Sequence, residues 1–269
     1  MQIPQCSPNT GRLNRPHKSS HCRCAGFSLP DLLVSMSVMA LLMGILLPSL
    51  SRATETARRV VCASNLKQIG LAMQMYVNDH DGFLPPTVFS HKRPGELVPQ
   101  DMQIAHLASD DPNAWDGTGW LVVNQYLNAA PVFYCPSHRG LHPQKRYAEQ
   151  WSMLNGEIVT NYQYRFFPLD PMPQAELAST TTIVSDGMRT VDDYNHGVGA
   201  NMLKADMSVR WYTDEGGFVI NLLPRSEQDF AAAKQVVFAW RALDLGHAPT
   251  TGKQGLPGET TALRIFDIE

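Results

Sequence analysis

Charge is scarce in this chain of 269 residues: Asp, Glu, Lys and Arg make up 17%, against roughly 25% in ordinary soluble domains. The scarcity excludes a highly charged disordered chain, and the 43% of apolar residues leaves ample material for a core. A basic excess is also missing, since the formal net charge is -3. The chain as a whole therefore does not read as a nucleic-acid binder. Acids are absent from residues 1–26, which hold Arg12, Arg15, Lys18 and Arg23. A short basic head on an acidic body reads as a targeting segment. Cysteines are few, and Cys6, Cys22 and Cys24 lie in the head. Cys22 and Cys24 are too close for the usual zinc pair spacing. Removal of the head leaves Cys62 and Cys135, an even number compatible with one disulfide outside the cytosol. No Gly-x-Ser-x-Gly elbow and no Gly-rich phosphate loop with Lys occurs. The five Trp residues are dispersed and read as core. Nothing specific points to an enzyme.

What the chain does have is one long apolar run. From Leu29 to Leu50 the only charge is Asp31, and with its flanks the run approaches the roughly 20 residues that cross a bilayer. Leu and Met favour helix, and the run is apolar on all faces. Pro48 removes a donor and crowds the preceding turn, which predicts a kink. Beyond it, Leu66, Ile69, Met73 and Tyr76 recur at helical spacing and give one apolar face. The pattern predicts one long helix from about Leu29 to Asn78, stopped by Asp79-His80-Asp81-Gly82 and Pro85-Pro86. Taken alone, the head fits three schemes. It is a secretory signal cut near Ser49-Leu50-Ser51, a simple retained anchor, or a leader processed before the apolar run.

The third scheme rests on Gly26-Phe27-Ser28-Leu29-Pro30-Asp31-Leu32-Leu33-Val34, which resembles the processing site of type IV prepilins and type II secretion pseudopilins. The resemblance implies that a prepilin peptidase cuts after Gly26 and that Phe27 becomes the N-methylated N-terminus. Pro48 resembles the family's helix-kinking proline. Asp31 stands where the family normally has Glu, thought to pair with the N-terminal amine of a neighbouring subunit, and Pro30 stands where an apolar residue is usual. The segment Arg58 to Gly70, with Cys62-Ala63-Ser64-Asn65-Leu66-Lys67-Gln68, looks like the subgroup abundant in planctomycetes and related bacteria, and residues 73–82 extend the match. Flanking Lys and Arg are balanced across the run, so charge sets no orientation. The resemblance implies a cytoplasmic leader and an outward globular domain on the inner membrane.

The rest of the chain reads as short antiparallel strands. Candidates are Trp120–Val123, Val132–Tyr134, Tyr162–Phe167, Thr181–Ser185, Gly199–Leu203, Val209–Tyr212 and Gly217–Leu222. Phe230 to Leu243 reads as helix, Gly246 to Gly258 as a loop, and Ala262–Ile268 as a last strand. Two further stretches resemble the family. Val132-Phe133-Tyr134-Cys135-Pro136-Ser137 looks like its Cys-Pro-Ser turn. His196, Gly199, Asn201 and Asp206 fall in a stretch like the subgroup's His, nine residues, Asp-Gly motif, here with Met207 in place of the Gly. We read that motif as a structural hairpin, with a changed or strained turn at Met207.

Metal chemistry is weakly signalled. Cys135, His138 and His142 have a spacing zinc could use, without an evident fourth ligand. The pairs Asp110-Asp111 and Asp192-Asp193 offer oxygen ligands for calcium, which some pseudopilins bind, but they read equally as solvated acidic loops. We therefore expect no resident cofactor. If the outer domain faces an oxidising compartment, Cys62 and Cys135 lie near each other and pair as a disulfide; otherwise they are two separately buried thiols. The expected fold is α+β and pilin-like: a leader (1–26), a long helix (27–80) with a membrane span at about 29–50, and a sheet domain (81–269). The expected role is a pilin or pseudopilin subunit of a type IV pilus or type II secretion filament. Its partners would be the prepilin peptidase, other pilin-like subunits and inner-membrane lipid, with no nucleic acid. The competing role is an anchored or secreted binding module that never polymerises.

Overall fold

A computed structural model describes residues 29–91, 101–109, 111, 113–154, 156–165, 167, 171–226, 228–229 and 236–248. The leader, with Gly26 and Phe27, lies outside the described residues, as do residues 230–235 and the expected last strand. The chain divides into two compact units, Met1–Ser49 and Leu50–Glu269. The long helix exists: α1 spans Leu29–Asp79 and runs unbroken across Pro48. It carries an apolar window long enough to cross a membrane, none of it buried. Its end follows from the backbone. Asp81 and Gly82 take positive φ (52° and 85°), and the Gly82 N–H turns back to the Val77 carbonyl at 2.9 Å.

The second unit is α+β. A two-stranded antiparallel sheet pairs β1 (Ile104–His106) with β2 (Ile158–Val159). A four-stranded antiparallel sheet runs in sequence order: β3 (Tyr162–Tyr164), β4 (Thr182–Asp186), β5 (Gly199–Lys204) and β6 (Val209–Thr213). The short helices α2 (Trp120–Val123), α3 (Ala148–Met153) and α4 (Phe218–Leu222), and the longer α5 (Val236–Leu245), complete it. On α1 the apolar stripe does what its spacing predicts: Cys62, Leu66, Ile69, Met73, Tyr76 and Val77 are buried in the main core. β5 is buried along its whole length. Leu203 joins the core under α1, whereas Ala200 and Met202 join a second core with Val219, Ala239, Trp240 and Leu243 of α4 and α5. The period of two along the strand thus serves two layers at once.

Four of the expected strands form, at Tyr162, Thr182, Gly199 and Val209, within a residue or two except that β3 ends at Tyr164. Three do not, and each has a local cause. Gly217–Leu222 becomes α4 because the Asp214 carboxylate accepts from the Val219 and Ile220 N–H groups at 2.8 and 2.9 Å, which caps a helix start. Gly216 and Gly217, both at positive φ, allow the entry turn. Val132–Tyr134 falls largely in a 3-10 turn, Ala130–Phe133, whose early Pro131 has its φ preset for a turn. Trp120–Val123 is the helical turn α2, since a short apolar run suits a buried turn as well as a strand. The strands β1 and β2 have too few residues to show a period.

The motif from His196 to Asp206 is a hairpin. Lys204 and Ser208 close a three-residue loop, with the Lys204 N–H donating to the Ser208 carbonyl at 2.9 Å. Met207 occupies its left-handed position at φ 60°, where glycine is usual. The residue is only 6% exposed and belongs to the core. Left-handed strain costs about 1 kcal/mol, while truncating a buried Met costs about 2–5 kcal/mol. Burial therefore wins, and Met207→Gly is expected to lower unfolding stability by at least about 1 kcal/mol despite the relieved backbone. Gly199 is stricter. A Cβ there would lie 2.1 Å from the Tyr212 carbonyl oxygen and 2.5 Å from the Trp211 ring, and the backbone contact cannot give way. Gly199→Ala should cost about 3 kcal/mol or more. Gly44→Ala, whose Cβ meets nothing within 4 Å, should cost nothing. Urea unfolding of the detergent-solubilised chain checks all three.

Candidate functional site

The stripe of α1 that enters the core begins with polar residues. Glu55, Arg59 and Cys62 recur at helical spacing and so share one face. That face meets three loops and strand ends. Cys135 follows the 3-10 turn, where the Ser137 N–H points at its sulfur (3.4 Å) and the His138 N–H bonds its carbonyl (3.0 Å). Asp186 is the last residue of β4, registered against Tyr162 of β3. His196 precedes β5, in a turn eased by Gly197 at φ 68°. Cys62, Cys135, Asp186 and His196 are all buried, and one ligand-type atom from each lies within 4.8 Å of the others. His196 Nε2 is 3.6 Å from Cys135 Sγ and 3.5 Å from Asp186 Oδ2.

A supporting layer holds these groups. Glu55 Oε1 sits 2.6 Å from His196 Nδ1, which makes Nδ1 the protonated nitrogen and turns Nε2 towards the sulfur and the carboxylate. The Ser137 hydroxyl also donates to Glu55, at 2.9 and 3.1 Å. Asp186 Oδ2 accepts from the Asn201 backbone N–H (2.6 Å) and side-chain amide (3.1 Å), while Oδ1 has no hydrogen-bond partner. The Trp211 ring meets His196 edge-on at 5.7 Å, and the Arg59 guanidinium lies 4.6 Å above it.

The electrostatics follow from that packing. A hydrogen bond from Cys135 holds the Cys62 thiol down to about 6, against the opposing effect of burial. Burial, with the Cys62 sulfur adding to it, pushes the Cys135 thiol well up. Burial raises Asp186 to about 7, with Cys62 adding to it. His196 would be lowered by burial, but Cys62, Asp186 and Glu55 together raise it to about 9. Burial would raise Glu55, yet its hydrogen bonds from His196 and Ser137 leave it below the usual range. The cluster thus concentrates negative charge around one imidazole, with the arrangement either of a pair of adjacent thiols or of a ligand set.

Several residues named from sequence meet here. Cys62 and Cys135 are adjacent free thiols, and His196, Gly199 and Asn201 of the hairpin motif frame the same spot. Asp206 does not; its carboxylate bonds the Ser208 N–H in the hairpin turn at 2.9 Å. Nor do His138 and His142 join Cys135. His138 Nδ1 bonds the Asn195 side-chain oxygen Oδ1 at 2.9 Å, and His142 pairs with the Tyr147 hydroxyl. Asp193 Oδ2 accepts from buried Arg189 (2.8 Å) and Thr190 (3.0 Å), while Asp192 is exposed and Asp110 lies outside the described residues. Sequence reasoning missed Glu55 and Asp186. The helical spacing of Glu55 to Cys62 was a usable signal for the first; nothing local marks the second.

Asn201→Ala removes one donor to a buried carboxyl group and is expected to lower stability by about 2 kcal/mol. Denaturant midpoints compared with the parent chain check this, and an unchanged midpoint would mean that the backbone N–H alone satisfies Asp186.

No curated protein matches the chain, and no solved structure does. One family model does match, over residues 51–221, starting just past the apolar run; the family is described as Protein of unknown function (DUF1559). The match covers more than half of the chain, and the protein belongs to this family, which is pilin-like.

Proposed function

We propose that the chain is a structural subunit, a pilin or pseudopilin, of a membrane-anchored filament of the type IV pilus or type II secretion kind. The observation that carries the reading is the division of labour along α1. Its first part exposes Leu, Met, Val and Ile all round, while one face of its second part, from Cys62 to Val77, is buried against the sheet domain. The hydroxyls within the apolar part satisfy themselves, which suits lipid: Ser35, Ser37 and Ser49 donate to the Leu32, Val34 and Leu46 carbonyls at 2.8–2.9 Å. Membership of a pilin-like family and the prepilin-like stretch around Gly26 add to it. On this reading a prepilin peptidase cuts after Gly26, Phe27 is N-methylated, and the sheet domain lies outside the cytoplasm. Subunits pack through residues 27–47, with Asp31 facing the Phe27 amine of a neighbour. The chain is a substrate of that peptidase and not itself an enzyme.

Two measurements test this. N-terminal sequencing and intact mass of the native protein should give N-methyl-Phe27; a start at Met1 or Gln2, or near Arg52, would refute processing at Gly26. The second concerns Asp31, the only charge in an apolar run. A carboxylate costs about 2.5–3.5 kcal/mol at the centre of a membrane helix, and Asp31, in the first turn of α1, bears the part of that cost that applies near the membrane surface. Asp31→Ala should leave processing and membrane fractionation intact while lowering recovery of sheared or cross-linked oligomers several-fold. Undiminished oligomers would favour the binding module that does not polymerise.

A further inference from the structure

Glu55, Cys62, Cys135, Asp186 and His196 have no part in filament packing as proposed above, yet they form the most chemically specific spot in the described domain. We propose that Cys62, Cys135, Asp186 and His196 bind one divalent transition-metal ion of the zinc class, which fastens α1 to the sheet.

Three observations lead there. The first is distance. Tetrahedral zinc, with bonds of about 2.0–2.3 Å, sets its ligand atoms about 3.3–3.8 Å apart. The Cys135 Sγ to His196 Nε2 and His196 Nε2 to Asp186 Oδ2 separations, 3.6 and 3.5 Å, already fit. All four ligand atoms lie within 4.8 Å of one another, so closure needs movements of about an ångström. The second is orientation. Glu55 holds His196 Nδ1–H at 2.6 Å, which leaves Nε2 facing the cluster as the nitrogen where a metal ion can replace a proton. A carboxylate behind a histidine is the usual support of a metal ligand. The third is an unmet need. Asp186 is 0% exposed and its Oδ1 has no hydrogen-bond partner. A buried carboxylate with one oxygen left unpaired is costly, and a cation bound beside Oδ2 lowers that cost by offsetting the group's charge.

A Cys62–Cys135 disulfide would account for the two sulfurs alone. It would involve neither Asp186 nor His196 and give no reason for Glu55 to fix the histidine. A cation accounts for all four groups. Two thiolates and an imidazole select a soft or borderline ion over calcium or magnesium. On binding, the ligands become two thiolates, a carboxylate and a neutral imidazole, so the Cys135 thiol and the His196 ring release protons to water, and the ion's two positive charges offset two of the three negative charges on the ligands. Four protein ligands fill a tetrahedron and leave no position for water or substrate, so the ion's role is structural. It joins Cys62 of α1, the loop after the 3-10 turn, the end of β4 and the start of β5. The proposal does not rest on the filament reading.

The test uses the full chain in detergent, purified without chelator. Elemental analysis should find one zinc per chain, and non-reducing intact mass should show both thiols reduced. Cobalt(II) in place of zinc should give a thiolate-to-cobalt charge-transfer band in the near ultraviolet and the strong visible bands of four-coordinate cobalt. Substituting the buried ligands risks misfolding, so the wild-type spectrum carries the main test and Glu55→Ala, at the rim, carries the second. That variant should bind cobalt about 10- to 100-fold more weakly by chelator competition. A mass short by two hydrogens would show a disulfide instead and overturn the proposal. So would a reduced chain whose cobalt titration lacks the charge-transfer band. Unchanged affinity in Glu55→Ala would remove His196 from the ligand set.

Discussion

The second unit is organised around the close approach of α1 to β5. At Gly70 the helix has no side chain, and a Cβ there would lie 2.6 Å from the Leu203 side chain. This contact brings Leu66, Ile69 and Met73 down onto the sheet, where each is fully buried. Polar bonds then fix the helix in register. Asn65 donates to the Tyr134 carbonyl and the Tyr162 hydroxyl, both at 3.2 Å, and Lys67 donates to the Met207 carbonyl at 3.0 Å. Bonds of this kind contribute about 1 kcal/mol each. Apolar burial is non-directional and supplies the larger part of the attraction. The polar bonds decide which face of the helix meets which strand.

That register also decides the chemistry. Glu55, Arg59 and Cys62 lie on the α1 face that continues into the core, so seating Gly70 on Leu203 of β5 carries them to the strand ends where Asp186 and His196 sit. The strained turn at Met207 belongs to the same system. Its left-handed backbone turns a carbonyl to Lys67 and sends the Met side chain into the core beside α1. The hairpin and the buried cluster are therefore two consequences of one packing arrangement, and Asn201 of β5 touches both Asp186 and the Arg59 carbonyl.

The opposite face of the sheet has its own logic. Lys204 is buried on that side and donates to the Thr180 and Leu243 carbonyls and the Thr182 hydroxyl at 2.8–3.0 Å. Asp244 of α5 bonds Arg165 at 2.7 Å and the Thr182 N–H at 2.7 Å. These contacts seat α5 against β4 and β5 where Trp240 and Leu243 fill the second core. Burial lowers Lys204 to about 8, which marks how far the charge has been drawn from water.

The amino-acid order by itself determined the long helix, its apolar first part and its buried stripe, because both depend on local composition and a period of 3.6. It also determined four strands of the main sheet, whose β-branched and aromatic residues sit between turn residues. It did not decide Gly217–Leu222, where the carboxylate of Asp214 caps a helix start, nor Val132–Tyr134, where Pro131 begins a 3-10 turn. A short apolar segment suits either state, and the neighbouring cap or turn chooses. The buried cluster was legible only in pieces. Cys62, Cys135 and His196 stood out separately in stretches that resemble pilin-like proteins, and the nearby histidines His138 and His142 were the nearest ligands in sequence. Tertiary structure alone joined Cys62 to residues 73, 124 and 134 positions further along, since contacts at such separation depend on which faces pack and leave no periodic trace in the chain.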